Sequence, residues 1–251
     1  QQMLKVLGQP TPEYTTPKNK YLAENPPHVV MVLMEGMGTN VLIEDDPLSN
    51  DLLGELRVHF EQDFVFKRFL AGTSATIDSL MMMLFHSSVP TISHSNAQKV
   101  VLPGSAVLPY KQAGYESTFI TAGNAMWRNL SNYLPLQGFD NVIDENLIKR
   151  EFPQAEDYAD TWGVPDEYAF KYAEKLLQES TVPQLIYILT VTNHSPFRPP
   201  ENYQPKPVKV TNRLTNKLGS LSGQSKALLQ TYQYANDSLG RFIKEIKITK
   251  S

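Results

Sequence analysis

Reactive or ion-binding side chains stand at four places where an apolar run gives way to a turn. Glu35 directly follows Leu33-Met34 and precedes Gly36-Met37-Gly38. A carboxylate there suits a hard metal ion or general-base work, and the glycines let the backbone turn sharply and a ligand approach. On the residues alone, a loop Glu capping the next helix is an equal alternative. The second place is Ala71-Gly72-Thr73-Ser74-Ala75-Thr76-Ile77-Asp78-Ser79. Its hydroxyls crowd a turn into a helix, where one of them meets free N–H groups and the positive dipole end; activated by a metal or base, it can be a nucleophile. The competing reading is an ordinary Ser/Thr cap. His194 lies in Thr190-Val191-Thr192-Asn193-His194-Ser195-Pro196, either on a polar pocket rim or as a structural strand-end histidine. Asn124, Trp127 and Arg128 offer a stacking face beside a guanidinium, which suits a polyol phosphate, or else Trp127 anchors a helix and Arg128 is solvated. His59, His86 and His94 show no metal-ligand spacing and read as structural.

Buried strands are needed to hold these turns in place. His28 to Met34 is a short continuous apolar run between Pro27 and Gly36, the pattern of a strand covered on both faces. Phe64 to Leu70, Ser117 to Ala122 and Leu185 to Thr192 repeat it, separated by helical or loop-like sequence. The expected fold is therefore α/β, a mostly parallel sheet with helices on both faces. Leu80 to Phe85 reads as a buried helix whose methionines fill core. The spacing also predicts helices over Asp166 to Glu179, with an Asp cap after Pro165, and over Ser225 to Lys247. Pro196 to Pro207 and Thr211 to Gln224 together read as one long loop. Residues 1 to 28, with five prolines, read as an extended lead-in, and residues 29 to 251 as one domain without a linker. The pattern ends on a long helix with no strand to lead into, so the domain reads as cut short at the C-terminus.

Composition narrows the function. The chain has 251 residues, 41% of them hydrophobic, enough for a sizeable core, and 23 Lys and Arg against 26 Asp and Glu give a net charge of -3. Nothing draws such a chain toward nucleic acid. No apolar run approaches the roughly 20 residues of a membrane helix. The absence of cysteine excludes thiolate ligands, thiolate nucleophiles and disulfides. Phosphate-loop, Gly-x-Ser-x-Gly and His-Glu-x-x-His motifs are all missing.

Glu35, the Thr73 to Thr76 cluster, Trp127-Arg128 and Thr192 to Pro196, in this order at successive strand ends, carry a resemblance. With Thr161-Trp162-Gly163-Val164-Pro165-Asp166 and Tyr234-Ala235-Asn236-Asp237-Ser238-Leu239-Gly240-Arg241-Phe242, they make the chain similar to the sulfatase-like branch of the alkaline phosphatase superfamily. Within that branch it most resembles lipoteichoic acid synthases and phosphoglycerol transferases. The resemblance implies an alkaline-phosphatase-like fold and one divalent metal, Mn²⁺ by preference, with Mg²⁺ or Zn²⁺ as alternatives. It makes Glu35 and Thr76 metal ligands, with Thr76 also the nucleophile because the spacing into Ile77-Asp78-Ser79-Leu80 follows the family. His194, Trp127 and Arg128 become substrate-binding residues. The implied substrate is an anionic phospholipid or polyol phosphate, handled outside the cytoplasmic membrane by a domain tethered through an N-terminal anchor. The implied reaction is ping-pong phosphoglycerol transfer through Thr76.

Two departures from the family pattern bear on this reading. Trp127 and Arg128 are adjacent where the family has one residue between them. The Asp-His pair that completes the family's metal site is absent, which fits either a truncated chain or a catalytically inert binding relative. A sulfuric or phosphoric ester hydrolase is the enzymatic alternative, although an arylsulfatase needs a Cys/Ser-x-Pro-x-Arg motif and Ser88-Val89-Pro90-Thr91-Ile92 lacks the Arg.

Overall fold

A computed structural model describes residues 19–66, 69, 73, 75–85, 92 and 95–248. Among these, four strands form one sheet: β1 (Val29–Leu33), β2 (Glu116–Thr121), β3 (Asn141–Ile143) and β4 (Gln184–Leu189), in the order β1-β4-β2-β3. Every pairing is parallel; β1 runs Val29 to Leu33 against Leu185 to Leu189, and β2 runs Glu116 to Thr121 against Gln184 to Leu189. Parallel neighbours force crossovers, so the chain must cover both faces between strands.

Side-chain alternation divides the core accordingly. Phe119, Leu185, Tyr187 and Leu189 face one layer, where the Thr76–Phe85 helix contributes Ile77, Leu80, Met81 and Leu84. Ile120, Ile186 and Ile188 face the other, packed on Ala169, Phe170 and Ala173 of the Asp166–Glu179 helix and on Phe242 of the Ser225–Ile248 helix. All six residues of β4 are buried, which explains its unbroken apolar reading. The parallel α/β expectation is met, and Met81 is fully buried core as expected of the methionine run.

Some details differ from the sequence reading. Phe64 to Phe66, expected to begin a strand, have no regular structure and no pairing partner among the described residues; Phe64 is 97% exposed. A strand needs a neighbour's backbone to satisfy its own. Lys67, Arg68 and Leu70, the rest of that stretch apart from Phe69, lie outside the described residues. The short β3 was not foreseen, since three residues, Asn141-Val142-Ile143, carry too little pattern. Thr211 to Gln224 is not loop: Asn212–Leu218 is a helix followed by a 3-10 segment, Gly219–Gln224. Thr211 Oγ1 accepts from Leu214 N at 3.2 Å and caps the helix, while Leu214 is buried. In the stretch read as a lead-in, Lys20–Glu24 forms a short exposed helix capped by Asn19; residues 1–18 lie outside the described residues.

Candidate active site

The C-terminal ends of β1, β4 and β2 open onto one cleft lined by Glu35, Thr76, Thr121, Trp127, Trp162 and His194, among others. Ligand sites of open parallel sheets lie at this edge because the loops leaving adjacent strands diverge there.

Glu35 is fixed by its backbone. Its N–H donates to Thr190 Oγ1 at 2.8 Å and its carbonyl accepts from Asn193 Nδ2 at 3.2 Å, tying the β1 exit to the β4 exit. Gly36 then takes φ +61°, the left-handed region glycine tolerates, and its carbonyl accepts from the Tyr232 hydroxyl at 2.5 Å. Burial, with the charge of Glu35 adding to it, pushes the Tyr232 phenol up to about 12. Tyr232 is therefore a neutral donor at any physiological pH.

Thr76 is the first residue of its helix, and its hydroxyl donates to Glu35 Oε2 at 2.6 Å. Thr73 turns the other way: its hydroxyl donates to the Ala75 carbonyl at 3.1 Å and lies 3.3 Å from Ser79 Oγ. Of the described hydroxyls in this cluster, Thr76 is the one placed against the carboxylate. Ser74 lies outside the described residues. His194 Nε2 stands 3.5 Å from the same Glu35 oxygen, so carboxylate, hydroxyl and imidazole converge.

Trp127 lines the cleft and is partly exposed. Arg128 is not among the cleft-lining residues; its guanidinium sits 5.7 Å from the Trp127 ring centroid, on a backbone with φ +54°. Asn124 does line it, and its side chain accepts from Met126 N at 2.8 Å. His59 is structural, buried with Nε2 3.1 Å from the Gly240 carbonyl; His86 and His94 lie outside the described residues.

Two residues gained no role in the site from the sequence. Trp162 stacks on the His194 imidazole with centroids 3.8 Å apart and planes within 10°. Asp166 is not a helix cap: Pro165 holds the cap position, and the buried Asp166 carboxylate accepts from Val191 N at 2.7 Å and Thr192 N at 3.2 Å. Burial pushes its carboxyl up to about 6, those hydrogen bonds pull against it, and the charge of Glu35 adds to the rise. Trp162-Gly163 between Asp160 and Asp166 was the available signal, but nothing in local spacing says which strand end it meets.

The donors present suit a hard or borderline divalent ion: one carboxylate, one hydroxyl and a nearby imidazole, with no sulfur. Glu35 and Thr76 would supply part of its shell. Among the described residues no group of three or more His, Asp or Glu is arranged to hold a metal.

The sheet and its cleft define an open α/β protein with a polar site at the strand exits. The sulfatase family model matches residues 27–250, and the chain belongs to that family. Solved structures agree on the fold. The lipoteichoic acid synthase LtaP from Listeria monocytogenes superposes with a TM-score of 0.70 at 18% identity, over 89% of this chain and 53% of that one. A protein of the alkaline phosphatase superfamily from Vibrio parahaemolyticus gives 0.69 at 19%, over 88% and 50%. The Streptococcus pyogenes phosphoglycerol transferase GacH, solved with sn-glycerol-1-phosphate, gives 0.61 at 14%, over 92% and 63%. The fold is alkaline-phosphatase-like, and the chain spans about half the length of the first two structures.

Proposed function

We propose that this chain carries the nucleophile half of a phosphoglycerol transferase site, acting on an anionic phospholipid or polyol phosphate at the outer side of the cytoplasmic membrane. The observation that carries the reading is the Thr76 hydroxyl donating to Glu35 Oε2 at 2.6 Å inside a cleft that also holds His194. Family membership and the glycerol-phosphate complex of the Streptococcus pyogenes relative support the substrate class. No described helix is long and apolar enough to cross a membrane, so the membrane enters this reading through the donor and an anchor beyond the domain of residues 29 to 251.

Glu35 and Thr76 would hold a divalent ion, Mn²⁺ by preference, which when bound lowers the hydroxyl's pKa and polarises the phosphoryl group. The rest falls to side chains of this chain. Thr76 Oγ1 bonds to phosphorus as the bond to the lipid alcohol breaks, and the departing oxygen takes its proton from His194 Nε2. The proton leaving Thr76 has Glu35 Oε2 as its nearest acceptor. An acceptor hydroxyl then attacks the same phosphorus and gives its proton to His194, while the bond from phosphorus to Thr76 Oγ1 breaks and that oxygen takes its proton back from Glu35. Trp127 and Trp162 wall the cleft and limit water, the competing acceptor.

Incubating the protein, as its own cell produces it, with a phosphatidylglycerol-like donor and Mn²⁺ should add one phosphoglyceryl group to the peptide containing Thr76. Thr76→Ala should abolish the adduct and turnover, with Thr73→Ala milder. An adduct on another hydroxyl, or normal turnover in the Thr76 variant, refutes the assignment.

A further inference from the structure

We infer that the Asp160–Asp166 turn positions His194, with Trp162 fixing the plane of the imidazole and Asp166 fixing the backbone that carries it. The inference rests on the proposed role of His194 and adds the residues through which that role is held.

His194 ends a turn leaving β4, its N–H donating to the Val191 carbonyl at 3.2 Å. Such a turn has little rigidity of its own. Asp166 accepts from Val191 N and Thr192 N and donates its own N–H to Thr192 Oγ1 at 3.3 Å, so the start of the turn is gripped from the neighbouring helix. Trp162 holds its end. The indole stacks on the imidazole, and indole Nε1 donates to the Ser195 carbonyl at 3.0 Å, fixing ring and backbone together.

The turn bearing Trp162 is itself immobilised. Trp162 N donates to Asp160 Oδ1 at 2.8 Å, Asp160 N to the Gly163 carbonyl at 2.8 Å, and Val164 N to the Ala122 carbonyl at 2.9 Å. Gly163 lies with φ +141°, and a Cβ there would stand 2.1 Å from Ala122 O; a Cβ on Gly123 would stand 2.8 Å from Trp162 O. Two backbones therefore meet where no side chain fits. The β2 exit supports the turn, the turn supports the indole, and the indole supports the imidazole.

Stacking leaves a direct mark of this geometry, an upfield ring-current displacement of the His194 ring protons. Histidine-selective NMR on the wild type, assigned through His194→Ala, should show it. Trp162→Ala should abolish it while the melting temperature stays near wild type, and Trp162→Phe should restore part of it. In the turnover assay Trp162→Ala should lower kcat by about 10²-fold, the scale of an ångström-level misplacement, with KM little changed and the Phe variant intermediate. Unshifted His194 protons in the wild type, or a lost displacement with unchanged kcat, overturns the positioning role. Normal turnover in His194→Ala itself overturns instead the functional reading on which the inference rests.

Discussion

Asn in place of Asp166 removes a charge from the interior while keeping an oxygen for Val191 N and Thr192 N. Asp166 is 1% exposed, and burial pushes its carboxyl from 3.8 up to about 6. An unfolded chain returns it near its ordinary value, so the two states differ by about two units, or roughly 3 kcal/mol between protonated and ionised forms. Between those values the folded protein binds more protons than the unfolded one. The group's contribution is therefore fully present below about pH 4 and is lost as pH rises through about 6. Urea denaturation followed by Trp127 and Trp162 fluorescence, on wild type and Asp166→Asn from pH 4 to 7, isolates this contribution. Wild-type stability minus variant stability should fall by roughly 3 kcal/mol across the range. A difference that does not change with pH, or wild type gaining on the variant as pH rises, would mean that the hydrogen bonds from Val191 and Thr192 outweigh burial and hold the carboxyl low.

The remaining expectations concern other parts of the same assembly. With Glu35 and Thr76 the proposed ligands, Glu35→Ala should lower the affinity for Mn²⁺ measured by calorimetry at least about tenfold, and an unchanged affinity defeats that assignment. His194→Ala should cost roughly 10²-fold or more in turnover with metal content and melting temperature nearly unchanged, whereas a destabilised but fully active variant makes the histidine structural. Gly163→Ala should destabilise by roughly 2–4 kcal/mol, because its Cβ would collide with the Ala122 carbonyl. Gly114→Ala, also at positive φ but with nothing within 4 Å, should cost only about 1–2 kcal/mol by the same denaturation assay, and equal losses would rule out the clash.

What the sequence revealed and what it hid divide along physical lines. β4 and the Asp166–Glu179 helix were legible because burial imposes a period on the residues, continuous for a strand covered twice and helical for an amphipathic face. Glu35 and the Thr73 to Thr76 hydroxyl cluster stand out by residue type and strand-end position, the family resemblance picks Thr76 from the cluster, and the structure brings Thr76 Oγ1 within 2.6 Å of Glu35 Oε2. Arg128, already set apart by its adjacency to Trp127 where the family has a residue between, has its guanidinium over the Trp127 ring and is not among the residues that line the cleft. Asp166 looked like a cap because caps are local, whereas its real partners lie 25 and 26 residues away on another element. Thr211 to Gln224 misled by composition: a capping threonine and one buried leucine outweigh its polar residues.

The ties that hold Glu35 also order events in time. β1 pairs only with β4 among the described strands, and Glu35 takes its backbone acceptor from a threonine 155 residues further on. The Gly36 carbonyl waits longer, for a tyrosine 196 residues away. During synthesis the apolar Val29–Leu33 segment thus emerges well before β4, the strand that pairs with it, and the carboxylate's loop can settle only after Thr190 and Tyr232 have been made. Folding dominated by such distant closures is slow, and the early chain presents an unpaired, apolar strand to whatever surrounds it. A chaperone or membrane surface that shields those few residues during synthesis would raise the yield of folded protein without touching the finished molecule.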